Sequence, residues 1–175
     1  LTNVSSVYKG VVVSGMRQVG KGTLLKHLGR TRRYLTLKDS RLLRMAKQAP
    51  EQFLQMNPPP ISVDEIQWAP ELFPALKAYF DETDEKGLVW LSGSQRLALW
   101  ANVSDKLPGR VASFDLLPLS IYEREGKGKL QKPYVPSFNL KRQLPEKSPS
   151  DTWRTVFQGA WPDVLDADAQ ERQIF

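Results

Sequence analysis

The chain has 175 residues, of which 41% are hydrophobic, 25% are charged and none is cysteine. This length and composition suit one globular domain with a real core, and they exclude wholesale disorder. With no cysteine and one histidine, His27, the sequence offers neither a disulfide framework nor a thiolate or histidine metal cluster.

Five short runs of β-forming apolar residues are spaced along the chain, and they predict strands at 11–13, 34–37, 61–63, 88–91 and 111–114. Segments with helical spacing lie between them, at 24–28, 42–49 and 72–80. Strands that are apolar throughout and alternate with helices are typical of a parallel sheet covered on both faces. The predicted fold class is therefore α/β.

The last third of the chain changes composition. Residues 126–150 interleave lysines with prolines and predict a long surface loop. After this loop, apolar residues repeat at helical spacing from Trp153 until Pro162, which is expected to end the helix. We therefore divide the chain into a core at 1–125, a basic loop at 126–150 and the helical start of a C-terminal region at 151–175.

Positive charge is concentrated in the first 50 residues. They hold eleven Lys and Arg and one acid, Asp39, which gives +10, whereas the whole chain carries +6 and the remainder therefore −4. This basic N-terminal face, which includes Arg30, Arg32 and Arg33, could attract nucleic-acid phosphates. A solvated surface is the favoured alternative because no base-reading motif accompanies the charges, and DNA as a partner is left open.

Membrane spans require an apolar run of roughly 18 to 20 residues, and the sequence has none. Its start also lacks a basic segment that leads into a long apolar one. We therefore expect no membrane partner and a cytoplasmic location. Because the chain begins at Leu1 and stops at Phe175 within a helical pattern, we also expect it to be a piece of a longer protein.

The first predicted strand leads into a glycine-rich turn and an amphipathic helix, since residues 10–28 read GVVVSGMRQVGKGTLLKHL. This is the context of a phosphate-binding loop. Glycines let backbone N–H groups turn toward a polyphosphate, and the start of a helix adds its positive dipole end. Lys21 would place a charge on the β and γ phosphates. Taken alone, the pattern also fits an ordinary strand-to-helix turn.

Another strand ends in two adjacent carboxylates, since residues 60–67 read PISVDEIQ. Adjacent residues at a strand end point in different directions, so Asp64 can hold a Mg²⁺ shell while Glu65 polarises an attacking water. This segment is similar to a Walker B motif. A solvated Asp-Glu turn is the alternative.

The fourth predicted strand ends in small polar residues at 92–95, which read SGSQ. Ligands of open α/β sheets bind at the carboxyl ends of the strands, so Ser94 or Gln95 could read the γ-phosphate. The alternative is ordinary turn chemistry.

Together these residues resemble the AAA-type P-loop ATPases of bacteria and archaea, in particular a prokaryotic group whose ATPase module precedes a C-terminal domain of unknown function. The resemblance rests on GMRQVGKGTLL at 15–25, VDEIQWAPELFPALK at 63–77, LSGSQ at 91–95, LPGRV at 107–111, LLPLSIYE at 116–123 and FQGAWPDVL at 157–165. It implies a three-layer P-loop NTPase of the additional-strand type with strand order 5-1-4-3-2.

The resemblance also implies ATP and Mg²⁺ as cofactors and a role for each matching residue. Nucleotide binding is implied for Gly15, Arg17, Gln18, Val19, Gly20, Lys21, Gly22, Thr23, Leu24 and Ser94. Catalysis is implied for Glu65, Lys21, Gln95 and Arg110, and metal binding for Asp64 and Thr23. Arg110 matches an arginine that acts on a neighbouring subunit's nucleotide, which would require a homo-oligomer. A structural pair with a nearby carboxylate is the alternative for Arg110.

The sequence departs from the family pattern beside the loop lysine. The family has Ser or Thr there, with a hydroxyl that ligates Mg²⁺, whereas this chain has Gly22 followed by Thr23. Successive helical residues point about 100° apart, so Thr23 cannot take over without rotation of the helix. Thr23 is better placed for the α-phosphate, and a water could fill the vacated coordination place. We therefore expect slow hydrolysis, and we expect Gly22→Thr to raise Mg²⁺-dependent affinity or turnover.

Three functions are consistent with these patterns. The leading hypothesis is an ATPase module that binds Mg-ATP, hydrolyses it slowly and drives conformational change in an attached C-terminal domain. The alternative is a nucleotide-sensing switch or scaffold that binds ATP with little turnover because Gly22 lacks a hydroxyl. A small-molecule or nucleoside kinase ranks last because no acceptor pocket or lid is apparent.

Overall fold

The computed structural model describes residues 1–94, 103, 105–124, 126–128 and 148–162. They form two compact units, Leu1–Leu117 and Pro118–Phe175. The elements of the first unit are α1 (Thr2–Ser5), β1 (Gly10–Ser14), α2 (Lys21–Leu28), β2 (Arg33–Thr36), α3 (Ser40–Gln48), α4 (Pro50–Met56), β3 (Ile61–Asp64), a 3₁₀ turn (Ile66–Trp68), α5 (Leu72–Asp81), β4 (Val89–Gly93) and β5 (Val111–Asp115). The second unit contains α6 (Ile121–Arg124) and α7 (Pro149–Gln158).

The five strands form one parallel sheet in the order β2-β3-β4-β1-β5. Read from the other edge, this is the predicted order 5-1-4-3-2, so the predicted α/β fold class and strand order are confirmed. Ser92 of β4 pairs with Val13 of β1 on one side and with Asp64 of β3 on the other. The carboxyl ends of these three strands therefore lie level at one edge of the sheet.

Both faces of the three central strands, β3, β4 and β1, are buried. On one face, Val11, Val13 and Trp90 form a cluster with Leu25 of α2. On the other face, alternate strand residues such as Val12 and Leu91 join a larger cluster that includes buried residues of α3, α4 and α5. Helices cover both faces, as the continuous apolar strands predict.

The N-terminal helix is fastened to the sheet by a buried hydrogen bond. The indole Nε1–H of Trp90 donates to Ser5 Oγ at 2.6 Å. We expect Ser5→Ala to lower the free energy of unfolding by about 1–3 kcal/mol, because the indole donor would stay buried without an acceptor. The matched control is Ser6→Ala, at the exposed neighbouring serine, which should change it by less than about 0.5 kcal/mol in urea unfolding.

Helix α7 ends earlier than expected. Its start is capped by Ser148, whose Oγ accepts from the Asp151 backbone N–H at 3.1 Å. It stops at Gln158 because Gly159 follows with φ +66°, a left-handed conformation that favours glycine, so Pro162 does not mark the end. Most of the predicted loop at 126–150 lies outside the described residues, and the three-part division of the chain stays a prediction.

No helix among the described ranges has the length and apolar character that crossing a membrane requires.

Candidate functional site

The loop between β1 and α2 has a backbone that few residue types tolerate. Gly15 has φ +154°, and a Cβ there would meet the backbone oxygen of Leu116. Gly20 caps α2 in the left-handed conformation at φ +91°, and Gln18 has φ +63°. These turns bring the chain sharply into α2, whose first N–H groups have no partner within the helix. The glycines at 15 and 20 are therefore required by the backbone of this turn, and phosphate binding by the loop stays a prediction.

Lys21 is buried in this loop, with 6% of its surface exposed. Its ammonium group donates to the backbone oxygens of Gly15 at 2.9 Å and Met16 at 2.5 Å. Burial lowers the pKa of Lys21, and the charges of Glu65 and Asp64 partly offset this effect. The side chain is therefore held across the loop, within electrostatic reach of both carboxylates.

Asp64 is the last residue of β3, and each of its carboxylate oxygens accepts a hydrogen bond. Ser92 Oγ donates to Oδ1 at 2.5 Å, and Tyr34 Oη donates to Oδ2 at 2.7 Å. Burial and the hydrogen bond to Asp64 raise the pKa of Tyr34 above its usual range, so this phenol stays protonated near neutral pH. Two hydroxyls thus fix a carboxylate that still has free acceptor sites.

Glu65 belongs to a separate polar network. Its Oε2 accepts from Gln67 Nε2 at 2.5 Å and from Ser94 Oγ at 3.1 Å, and its Oε1 lies 3.9 Å from Lys38 Nζ. The backbone of Glu65 is left-handed, with φ +60° and ψ +39°, which costs about 1 kcal/mol or more in a residue other than glycine. Gln67 Oε1 is buried and has no hydrogen-bond partner in the described part of the chain.

The phosphate loop and the acidic pair meet directly. A Cβ added at Gly22 would lie 3.4 Å from Asp64 Oδ2 and 3.0 Å from Tyr34 Oη. The start of α2 and the end of β3 are therefore neighbours at the carboxyl edge of the sheet, and a ligand-binding crevice between residues 15–21 and 64–65 stays a prediction.

The other predicted nucleotide-binding residues occupy different environments. Arg17, Gln18 and Thr23 are exposed. Val19 is buried in the loop, and Leu24 packs on the α2 side of the sheet. Gln95, predicted as a sensor, lies outside the described residues. The proposed metal and phosphate roles of Thr23 stay predictions.

Arg110 lies at the other edge of the sheet. It directly precedes β5, whose first residue pairs with Gly10 at the start of β1. Its Nε donates to Asp81 Oδ1 at 2.6 Å, and this guanidinium holds the pKa of Asp81 below its usual range. This contact matches the alternative interpretation, a structural ion pair. Action on a neighbouring molecule's nucleotide stays a prediction.

Parts of the basic N-terminal face have structural partners. Arg32 donates to the backbone oxygen of Gly87 at 2.5 Å, and its guanidinium lies 4.2 Å from the centroid of the Trp90 ring. Arg33 donates to the backbone oxygen of Met56 at 3.3 Å. These contacts show that two of the basic residues hold parts of the fold together, and both the solvated surface and DNA binding stay predictions.

The donors at the crevice suit Mg²⁺ rather than zinc. Asp64 and Glu65 present carboxylate oxygens, which hard cations prefer, and the hydroxyls of Tyr34 and Ser92 hold Asp64 in place. The described residues contain no group of three or more His, Cys, Asp or Glu that could enclose a metal. Mg²⁺ commonly uses one or two carboxylates together with substrate phosphates and water, so this donor set fits it.

Sequence reasoning missed four side chains of the site: Tyr34, Lys38, Gln67 and Ser92. Tyr34 was predicted only as a strand residue, and Ser92 only as part of a polar strand end. The signal that could have found Ser92 is its position on the strand next to β3, level with Asp64. No pattern in the sequence points to Tyr34, because its contact with Asp64 depends on the register between β2 and β3.

Comparison with known proteins agrees with this geometry. A family model described as an AAA domain matches residues 7–125, which include the loop, both carboxylates and Arg110. No curated protein matches the sequence significantly. An AAA domain indicates nucleotide binding, with ATPase activity as the associated class of reaction and ATP with Mg²⁺ as the usual ligands. The chain therefore belongs to the AAA domain family.

Proposed function

We propose that this chain binds Mg-ATP in the loop at 15–21 and hydrolyses it slowly. The observation that carries this proposal is the meeting of the loop helix with the acidic strand end, where the Cβ position of Gly22 lies 3.4 Å from Asp64 Oδ2. Phosphoryl transfer depends mainly on positioning and on neutralising charge, and such a crevice supplies both.

Phosphate binding is assigned to the loop backbone and to Lys21. The lysine ammonium already lies between the backbone oxygens of Gly15 and Met16, so its position is set before nucleotide arrives. A charge fixed in advance loses little entropy on binding. Ser94, which directly follows β4, is proposed to sense the γ-phosphate together with Gln95.

The two carboxylates are assigned different roles because their surroundings differ. Asp64, held by Tyr34 and Ser92, would bind Mg²⁺, and Thr23 is the second proposed metal residue. The ion, when bound, would neutralise charge on the β and γ phosphates. Glu65 is assigned to polarise the attacking water, because 14% of its side-chain surface is exposed to solvent.

The Glu65 network also favours the alternative, a nucleotide switch with little turnover. Its Oε2 already accepts from Gln67 and Ser94, and these hydrogen bonds would have to weaken before this oxygen could act on a water. This restraint is a second physical reason for slow hydrolysis, besides the absent hydroxyl at residue 22. Binding without release of phosphate would identify the switch.

We further propose that hydrolysis is coupled to other parts of the molecule. Hydrolysis would change the conformation of an attached C-terminal domain, as the resemblance implies. Helix α7 exposes three large apolar side chains, Trp153, Val156 and Phe157, which are the kind of surface that a moving domain contacts. A homo-oligomer in which Arg110 completes a neighbour's site is the corresponding proposal for assembly.

Phosphate release from ATP by the purified chain tests the proposed activity. We expect release slower than about 1 s⁻¹, below the usual range of enzymes, and its loss when EDTA removes Mg²⁺. ATP binding with no release above a protein-free control would reject the ATPase and support the switch. Release that EDTA leaves unchanged would reject the metal role.

A further inference from the structure

The phenol oxygen of Tyr34 lies beside Gly22 in α2, the position at which the family has Ser or Thr. A Cβ added at Gly22 would lie 3.0 Å from Tyr34 Oη, which is tighter than nine in ten real Cβ contacts. A Ser or Thr at position 22 would therefore require the phenol to shift by a few tenths of an ångström from its place beside Asp64.

The pairing of β2 with β3 explains why Tyr34 lies next to Asp64 although the two residues belong to different strands. Tyr34 of β2 pairs with Ser62 of β3, two residues before Asp64. Because side chains alternate along a strand, Tyr34 and Asp64 lie on the same face of the sheet. The ring packs with the cluster beneath α2, and Lys26 Nζ lies 4.6 Å from its centroid. The phenol is thus held in place from several sides.

The hydroxyl of Tyr34 acts on Asp64, whereas the absent hydroxyl would ligate Mg²⁺ directly. The phenol donates to Asp64 Oδ2 at 2.7 Å and keeps lone pairs that can accept a hydrogen bond from water. With Ser92 on Oδ1, it fixes the orientation of the carboxylate from both sides. Residues that hydrogen-bond to a metal ligand usually affect how tightly the metal is bound.

We propose that Tyr34 compensates for the hydroxyl that position 22 lacks by a different route: Gly22 leaves space for the phenol, and the phenol positions Asp64 for Mg²⁺. Tyr34 is thus a positioning residue that acts through Asp64. The proposal rests on the proposed function, since it concerns Mg²⁺ at the same site. It replaces the expectation that Gly22→Thr alone is beneficial, because that change would push the phenol away from Asp64.

The first test is Tyr34→Phe, which removes the hydroxyl and keeps the ring. The affinity for ATP is measured by calorimetry with Mg²⁺ and again with EDTA. We expect the gain in affinity that Mg²⁺ provides to fall about tenfold, while the affinity in EDTA changes less than about twofold. A merely structural role would lower both affinities together.

A second substitution tests whether a hydroxyl at position 22 can restore the Mg²⁺-dependent gain in affinity that Tyr34→Phe loses. Gly22→Thr alone should also reduce the Mg²⁺ gain, whereas Gly22→Thr combined with Tyr34→Phe should restore it to within about threefold of the unmodified chain, since a hydroxyl returns without the steric conflict. The matched control is Gly22→Ala combined with Tyr34→Phe, which adds the same Cβ and no hydroxyl. This control should not restore the gain.

The steric part is tested without nucleotide. Gly22→Ala should lower the thermal unfolding midpoint by about 3 °C when Tyr34 is present and should not lower it when combined with Tyr34→Phe. Equal effects in both backgrounds would overturn the steric competition. An unchanged Mg²⁺ gain in Tyr34→Phe would overturn the proposed role of the hydroxyl while ATP binding stands. If the unmodified chain binds no ATP, the proposed function fails first, and the role of Tyr34 with it.

Discussion

Lys21→Met is expected to weaken ATP binding about 100-fold, equivalent to about 3 kcal/mol, because the ammonium supplies charged hydrogen bonds to the phosphates. Methionine retains much of the buried stem, which matters because Lys21 has only 6% of its surface exposed. The change removes both the charge and the donors to the loop. Titration calorimetry with ATP and Mg²⁺ measures the effect.

The matched control for Lys21 is Lys47→Met. Lys47 is exposed in the last turn of α3. Its substitution removes one positive charge from the same basic segment, residues 1–50. It should change the affinity less than about twofold, because exposed charges are screened by salt. If both variants bound ATP equally well, the loop would not be the nucleotide site.

Glu65→Gln is expected to reduce phosphate release at least about 100-fold while the affinity for ATP changes less than about threefold. The amide has nearly the same shape, and its oxygen can still accept from Ser94 Oγ, now 3.1 Å from the carboxylate. It cannot act as a base toward water. Release under excess ATP and binding by calorimetry are measured on the same preparation.

The matched control for Glu65 is Glu71→Gln at the exposed start of α5. It removes one carboxylate from the same connection and should leave release within about twofold. Full release by Glu65→Gln would mean that another group orients the water. Lost binding would mean that Glu65 supports the loop instead of the chemical step.

The strands were predictable because each is a local run of apolar residues, whereas the roles of the two polar motifs stay predictions. Apolar runs predicted all five strands, and GMRQVGK and VDE identified the loop and the carboxylates. The strand order came from the resemblance, since no local pattern shows that β4 lies between β1 and β3. The sequence patterns did not predict α1 and α4, because both helices are short. Helix α4 also begins at a proline, which is tolerated in the first turn of a helix.

The hydroxyl contacts of Asp64 were not predictable, for a physical reason. They depend on which residues of β2 and β4 stand beside β3, and that register is a tertiary property. Position 22 was therefore interpreted by itself, as a site that had lost a metal ligand. In three dimensions the space at Gly22 is next to the phenol of Tyr34, so the two positions have to be interpreted together.

We propose that the turn after β1 binds a triphosphate opposite Asp64 and Glu65. The decisive experiment is titration of the unmodified chain with ATP in a calorimeter, with Mg²⁺ present. We expect saturable heat with one nucleotide per chain and a weaker affinity when EDTA replaces Mg²⁺. If ATP at millimolar concentration gave no saturable binding while circular dichroism showed the protein to be folded, this turn would not be a triphosphate site.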